Sequence, residues 1–172
     1  MLKPFVITVL VAAALTSASA GADSSSVTAA PGPCTAAETR AVVFAFARAW
    51  TTGNVAEANR LVVPEPHFRW LGAGPPGGRS GARAIDRFSL GAFIRARHKH
   101  HERLTIKTFK FHGSDLRGKE GDLRGIEGLG HFEFTAVRLS DDQPSGADPL
   151  RPGKGSIICT LARPMIAVWS VG

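Results

Sequence analysis

A chain of 172 residues that is 44% hydrophobic and 20% charged is too apolar to be disordered throughout, and it fits one globular domain with a real core. Its formal charge of +7 is scattered, with no run of five basic residues. The excess therefore reads as solubility, and no nucleic-acid partner is expected.

Residues 1–20 read as a secretory signal, with Lys3 at the start, an apolar run from Phe5 to Leu15, and the small residues Ala18, Ser19 and Ala20 at a cleavage site. The run is shorter than the roughly twenty residues that a membrane-spanning helix needs. No integral membrane segment is thus expected after signal removal, and the expected location is secreted or in the cell envelope. Residues 21–33 are small, Ser-rich and Pro-punctuated, and read as a flexible linker. The folded domain is expected over residues 34–172. Its two cysteines, Cys34 and Cys159, suggest a single disulfide in an exported chain, with two buried free thiols as the alternative.

From Thr35, the spacing of Val43, Phe46, Ala47 and Trp50 puts four apolar side chains on one helical face, and Thr35 with Glu38 forms a capping-box signature. Gly53 stops this helix. Asn54 caps a second over Val55–Val63, which Pro64 ends. His67 to Leu71 is a short aromatic strand, followed by the turn-rich loop 72–81, GAGPPGGRSG, which reads as a mobile segment that could cover a pocket. Its likeness to a phosphate-binding loop is poor, because Ala73 stands where the first Gly belongs and Arg79 where Lys belongs. A third helix is expected over Ala82–His98, with Arg, Lys and His at its carbonyl end.

Beyond Glu102 the period changes to that of strands. Leu104 and Ile106 share one face, and a bulge near Lys107 or Thr108 would bring Phe109 and Phe111 to it as well, bending the sheet. Residues 115–128 hold two copies of a seven-residue repeat, read as a duplicated, solvent-facing loop. In His131–Leu139, Phe132, Phe134 and Ala136 fall on one face and His131, Glu133 and Thr135 on the other. A polar loop, Asp141–Gly155, precedes two more strands, Ser156–Leu161 and Met165–Val171. If Cys159 bonds Cys34, then Ile157, Cys159 and Leu161 face the helices.

His98, His100 and His101 gather at the junction of helix and strand, but their spacing does not converge on a metal, and no metal or cofactor is expected. Glu102 beside Arg103 reads as a surface or structural ion pair.

The helix with Trp50 and Gly53, Phe68 with Trp70, the run His101 to Leu104, the strand His131 to Phe134, then Gly153, Lys154, Gly155 and Trp169, Ser170 together resemble the nuclear transport factor 2-like (NTF2-like, or SnoaL-like) superfamily, in particular its secreted actinobacterial members. The resemblance runs from about Cys34 to the C-terminus. It implies an α+β, cone-shaped fold in which N-terminal helices pack on a strongly curved, mainly antiparallel sheet around a cavity. It does not choose an activity, since the superfamily includes isomerases, cyclases, dehydratases and non-catalytic domains. The Tyr used by the ketosteroid isomerase design is missing, because the chain has no Tyr.

Two functions follow as expectations. The first is a non-enzymatic exported domain that binds a small apolar or amphipathic ligand, or a partner, in its cone, with Trp50, Trp70, Arg97, His101, Glu102 and Trp169 as the ligand-binding candidates and a homodimer left open. The second is an acid/base enzyme of the cyclase or isomerase type using His101 or Glu102, or Glu133 or His131. No catalytic residue is assigned, and the balance leans away from an enzyme.

Overall fold

The computed structural model describes residues 34–74, 81–113, 123–159 and 161–172. The expected signal, the linker, positions 75–80 of the Gly/Pro loop, the whole first repeat copy and Asp122 at the start of the second lie outside them.

Helix α1, Ala36–Thr52, starts at the expected capping box: Glu38 N–H donates to Thr35 Oγ1, and Thr35 N–H donates to Glu38 Oε2 at 2.8 Å. Its buried face carries Val43, Phe46, Ala47 and Trp50, the four side chains that the spacing picks out. Gly53 ends the helix with φ 66°, a conformation in which any side chain is strained; a Cβ there would also meet the His98 ring at 2.7 Å. Helix α2, Val55–Leu61, is capped by Asn54 and ends before the expected Val63. Val62 is instead extended and bridges Ile166, so the chain leaves the helix by docking on the sheet.

The next stretch departs from expectation. Strand β1, Arg69–Ala73, turns back into β2, Gly81–Ala84, in antiparallel register, so the 72–81 segment has both ends fixed in the sheet. Helix α3, Arg87–Lys99, starts five residues later than expected, because Asp86 caps it by accepting from Ser89 N–H.

Strand β3, Arg103–Phe111, pairs with β4, Leu129–Leu139, and the register shifts between Ile106 and Thr108, where the bulge was expected. Just before β4, Leu123 and Ile126 of the second repeat copy pack against the core, so that part of the duplicated loop is not solvent-facing. Strand β5, Leu150–Ile158, takes in the last six residues, 150–155, of the segment expected to be a polar loop. Phe132 stands opposite Gly155, and Phe134 opposite Gly153, and each ring covers its glycine. A Cβ on Gly153 would lie 2.1 Å from the Phe134 ring, and one on Gly155 would lie 2.2 Å from the Val168 carbonyl. A second register shift falls at Ser156/Ile157. Ile157 and Cys159 are buried as expected, whereas Leu161 lies beyond the end of β5 and is exposed. Cys159 is bonded to Cys34, with 5.1 Å between their Cα atoms, and this ties the start of α1 to the end of β5.

With β6, Met165–Val171, the sheet runs β2-β1-β6-β5-β4-β3, and every neighbouring pair is antiparallel except β1 with β6. Three helices on this open, bulged sheet make the expected α+β cone. Its inner face is one core of Phe46, Trp50, Phe68, Trp70, Phe132, Phe134 and Trp169 with aliphatic neighbours.

Candidate functional site

Charged side chains inside an aromatic core are costly unless paired and hydrogen-bonded. Glu102, 1% exposed, is held by three residues from three elements. Trp50 Nε1 donates to Glu102 Oε1 at 2.8 Å, Arg138 Nε and Nη2 donate to the same oxygen at 3.1 and 2.9 Å, and Arg138 Nη2 also reaches Oε2 at 3.1 Å. Arg97 Nε donates to Oε2. The remaining guanidinium nitrogens of Arg97 grip Asp142 with two bonds of 2.8 Å, and Ser140 Oγ with one of 3.1 Å. Arg138 Nη1 donates to the carbonyl of Gly172 at 2.6 Å, and its Nη2 also reaches that of Gly74 at 3.1 Å.

Two carboxylates and two guanidiniums thus form a neutral set that closes one end of the core. The Arg97 guanidinium holds the Asp142 carboxyl far below the ordinary carboxylate range. Burial works against the Arg97 charge, but its bonds to Asp142 and Glu102 outweigh that and raise its pKa. Burial dominates at Arg138 and lowers its pKa despite Glu102.

This arrangement corrects two sequence readings. Glu102 pairs with Arg97 and Arg138 and not with its neighbour Arg103, which is exposed. Arg97 turns into the core and does not solvate the helix end. Arg138 was overlooked, although its parity with Phe132, Phe134 and Ala136 put it on the inward face.

The tryptophans sit in the core. Trp169 packs between Phe46 and Phe134 with ring centroids at 4.5 and 4.8 Å, and Phe93 lies 4.7 Å from Trp70 and 5.4 Å from Trp50. Trp169 Nε1 has no hydrogen-bond partner among the described residues. His101 is brought to neither group: it is exposed, and its Nδ1 lies 2.6 Å from Asp141 Oδ2. His131 and Glu133 face outward, His131 within 2.8 Å of Ser156 Oγ and Glu133 within 3.2 Å of His112.

That outer face of the sheet holds three adjoining hollows. One of about 730 Å³ is lined by Thr108, Lys110, Thr135 and Pro152, and one of about 300 Å³ by His112, His131 and Ser156. A third, of about 640 Å³, is lined by Arg69, Leu71, Ile85, Asp86 and Val168, and Trp70 and Trp169 also border it. Lys154 and Ser170, cross-strand neighbours on β5 and β6, border all three.

No protein-family model matches the chain, and no curated protein matches its sequence. Solved structures do match its fold. An uncharacterised protein with a cystatin-like fold from Caulobacter vibrioides superimposes with a TM-score of 0.57 at 11% identity, over 78% of this chain and 86% of that one. An NTF2-like protein of unknown function from Pseudomonas putida gives 0.55 at 10% identity, over 82% and 89%. An NTF2-like protein from Novosphingobium aromaticivorans gives 0.53 at 15% identity, over 78% and 79%. The helices, the bulged mixed sheet and these neighbours together identify the chain as a domain of the NTF2-like, cystatin-like fold.

Proposed function

We propose that this is an exported, non-catalytic binding domain that takes a small amphipathic molecule on the outer face of its sheet. The supporting observation is a contrast between the faces. Trp50, Trp70 and Trp169 fill the cone with ring contacts, while the outer face carries three hollows that meet at Lys154 and Ser170. Partly apolar troughs with a few polar groups are the ordinary form of small-molecule sites. Export is supported by the disulfide, since such bonds persist in oxidising compartments.

At Glu102 the acid/base alternative has less support. A general base needs a free lone pair at the substrate, and both oxygens of Glu102 are taken by Trp50, Arg97 and Arg138.

Amide NMR during titration with octyl glucoside below its micelle concentration tests the reading. Shifts at Leu71, Val168 and Ser170 are expected. Shifts confined to Phe46, Trp50 and Trp169 would move the site into the cone, and no shifts at all would sink the binding role for this class of molecule.

A further inference from the structure

The cross-strand register orders the outer face into rows. One row reads Lys110, Glu133, Lys154, Ser170, Leu71 across β3, β4, β5, β6 and β1; the next reads His131, Ser156, Val168, Arg69 across β4, β5, β6 and β1. The alternating charges Lys110, Glu133 and Lys154 thus lie on β3, β4 and β5, and Leu71 stands on β1 beside Arg69. Leu71 is 47% and Ile85 51% exposed, and both line the 640 Å³ trough beside Val168.

The carboxylates on this face are already engaged. Glu133 is beside His112, and Asp86 accepts from Ser89 N–H and Oγ at the start of α3. Among the described residues, Lys154 makes no ion pair, and the Ser170 hydroxyl makes no hydrogen bond. An unpaired ammonium and a free hydroxyl therefore stand side by side where the polar hollows open into the apolar trough. Leu71 lies two strands from Lys154, roughly 10 Å at ordinary strand spacing, which a short alkyl chain can cross.

We propose that the site takes a single-chain amphiphile with an anionic head, the carboxylate or sulfonate at Lys154 and Ser170 and the alkyl tail in the trough of Leu71, Ile85 and Val168. This rests on the outer-face reading above and adds the charge of the head and the direction of the tail.

The test is displacement of bound 8-anilinonaphthalene-1-sulfonate by monomeric dodecanoate and by dodecanol, with the wild type, Lys154→Glu, Lys154→Gln and Leu71→Ser. Dodecanoate is expected to displace the dye at about ten-fold lower concentration than dodecanol, the size of a charge-assisted hydrogen bond. Both Lys154 variants should bind the dye's sulfonate more weakly and, once each curve is corrected for dye affinity, should remove that difference while leaving the inhibition constant of dodecanol unchanged, and Leu71→Ser should weaken both competitors. Lys154 is exposed, so an unchanged melting temperature is expected to show that its variants are folded. Equal displacement by acid and alcohol from the wild type overturns the anionic head and leaves the outer trough standing. No displacement by either, with the dye unaffected by Leu71→Ser, overturns both. Co-flotation with phosphatidylglycerol vesicles without uptake of monomeric dodecanoate also overturns it, in favour of a bilayer surface.

Discussion

Arg138 Nη2 lies 2.9 Å from one oxygen of Glu102 and 3.1 Å from the other, and both side chains are completely shielded from solvent. Removing one partner of such a pair leaves an uncompensated charge in the core, which typically costs about 3 to 5 kcal/mol. Arg138→Leu should lose about that much in chemical denaturation. Trp50→Phe, which deletes one donor to Glu102, should lose about 1 to 3 kcal/mol. A loss below about 1 kcal/mol for Arg138→Leu would mean the pair is solvated after all.

The Arg97–Asp142 contact carries a pH signature. Bonds from Arg97 lower the folded-state pKa of Asp142 below its unfolded value. Its stabilisation is therefore fully present above the unfolded value near ~4 and is lost as pH falls through the folded value. Asp142→Asn should lower stability at pH 7 and flatten the acid limb of a melting-temperature profile below about pH 4. A parallel, undiminished acid limb in the variant would exclude the contact as its source.

The Cys34–Cys159 bond spans 125 residues. Closing so long a loop stabilises by roughly 4 to 5 kcal/mol in the chain-entropy account. The denatured, unreduced protein should show no free thiol, and Cys34→Ser with Cys159→Ser should unfold at markedly lower denaturant. Two titratable thiols would contradict the bond.

Gly155 and Gly146 should respond to alanine for different reasons. At Gly155 a Cβ meets the Val168 carbonyl at 2.2 Å and the Phe132 ring at 2.4 Å, contacts that backbone pairing prevents from relaxing. Gly155→Ala should cost about 1 to 3 kcal/mol or more by overpacking. Gly146 has φ 77° and nothing within 4 Å of a built Cβ, so Gly146→Ala should cost only the backbone strain, about 1 kcal/mol. Equal costs in denaturant melts would show that the rings of Phe132 and Phe134 do not seal against β5.

What the sequence made legible was local. The Thr35–Glu38 cap, the Asn54 cap, the bulge after Ile106 and the parity of Phe132, Phe134 and Ala136 all follow from spacing within a few residues. Strand β2 was hidden because Gly81–Ala84 has no β-branched or aromatic residue and owes its extension to pairing with β1. The first half of β5 was hidden because Pro152, Gly153 and Gly155 read as turn residues, and only the rings across on β4 explain the glycines. Glu102 looked like half of a surface pair because its partner Arg138 lies 36 residues away. The outer trough draws on β1, β5 and β6 and exists only once the parallel β1–β6 pair has formed.

The most direct test is a crystal structure of the protein grown with dodecanoate. The account predicts density for the alkyl chain along Leu71, Ile85 and Val168, with the carboxylate at Lys154 and Ser170. Density among Trp50, Phe93 and Trp169, with those rings displaced to admit it, would contradict the account and return the binding site to the interior of the cone.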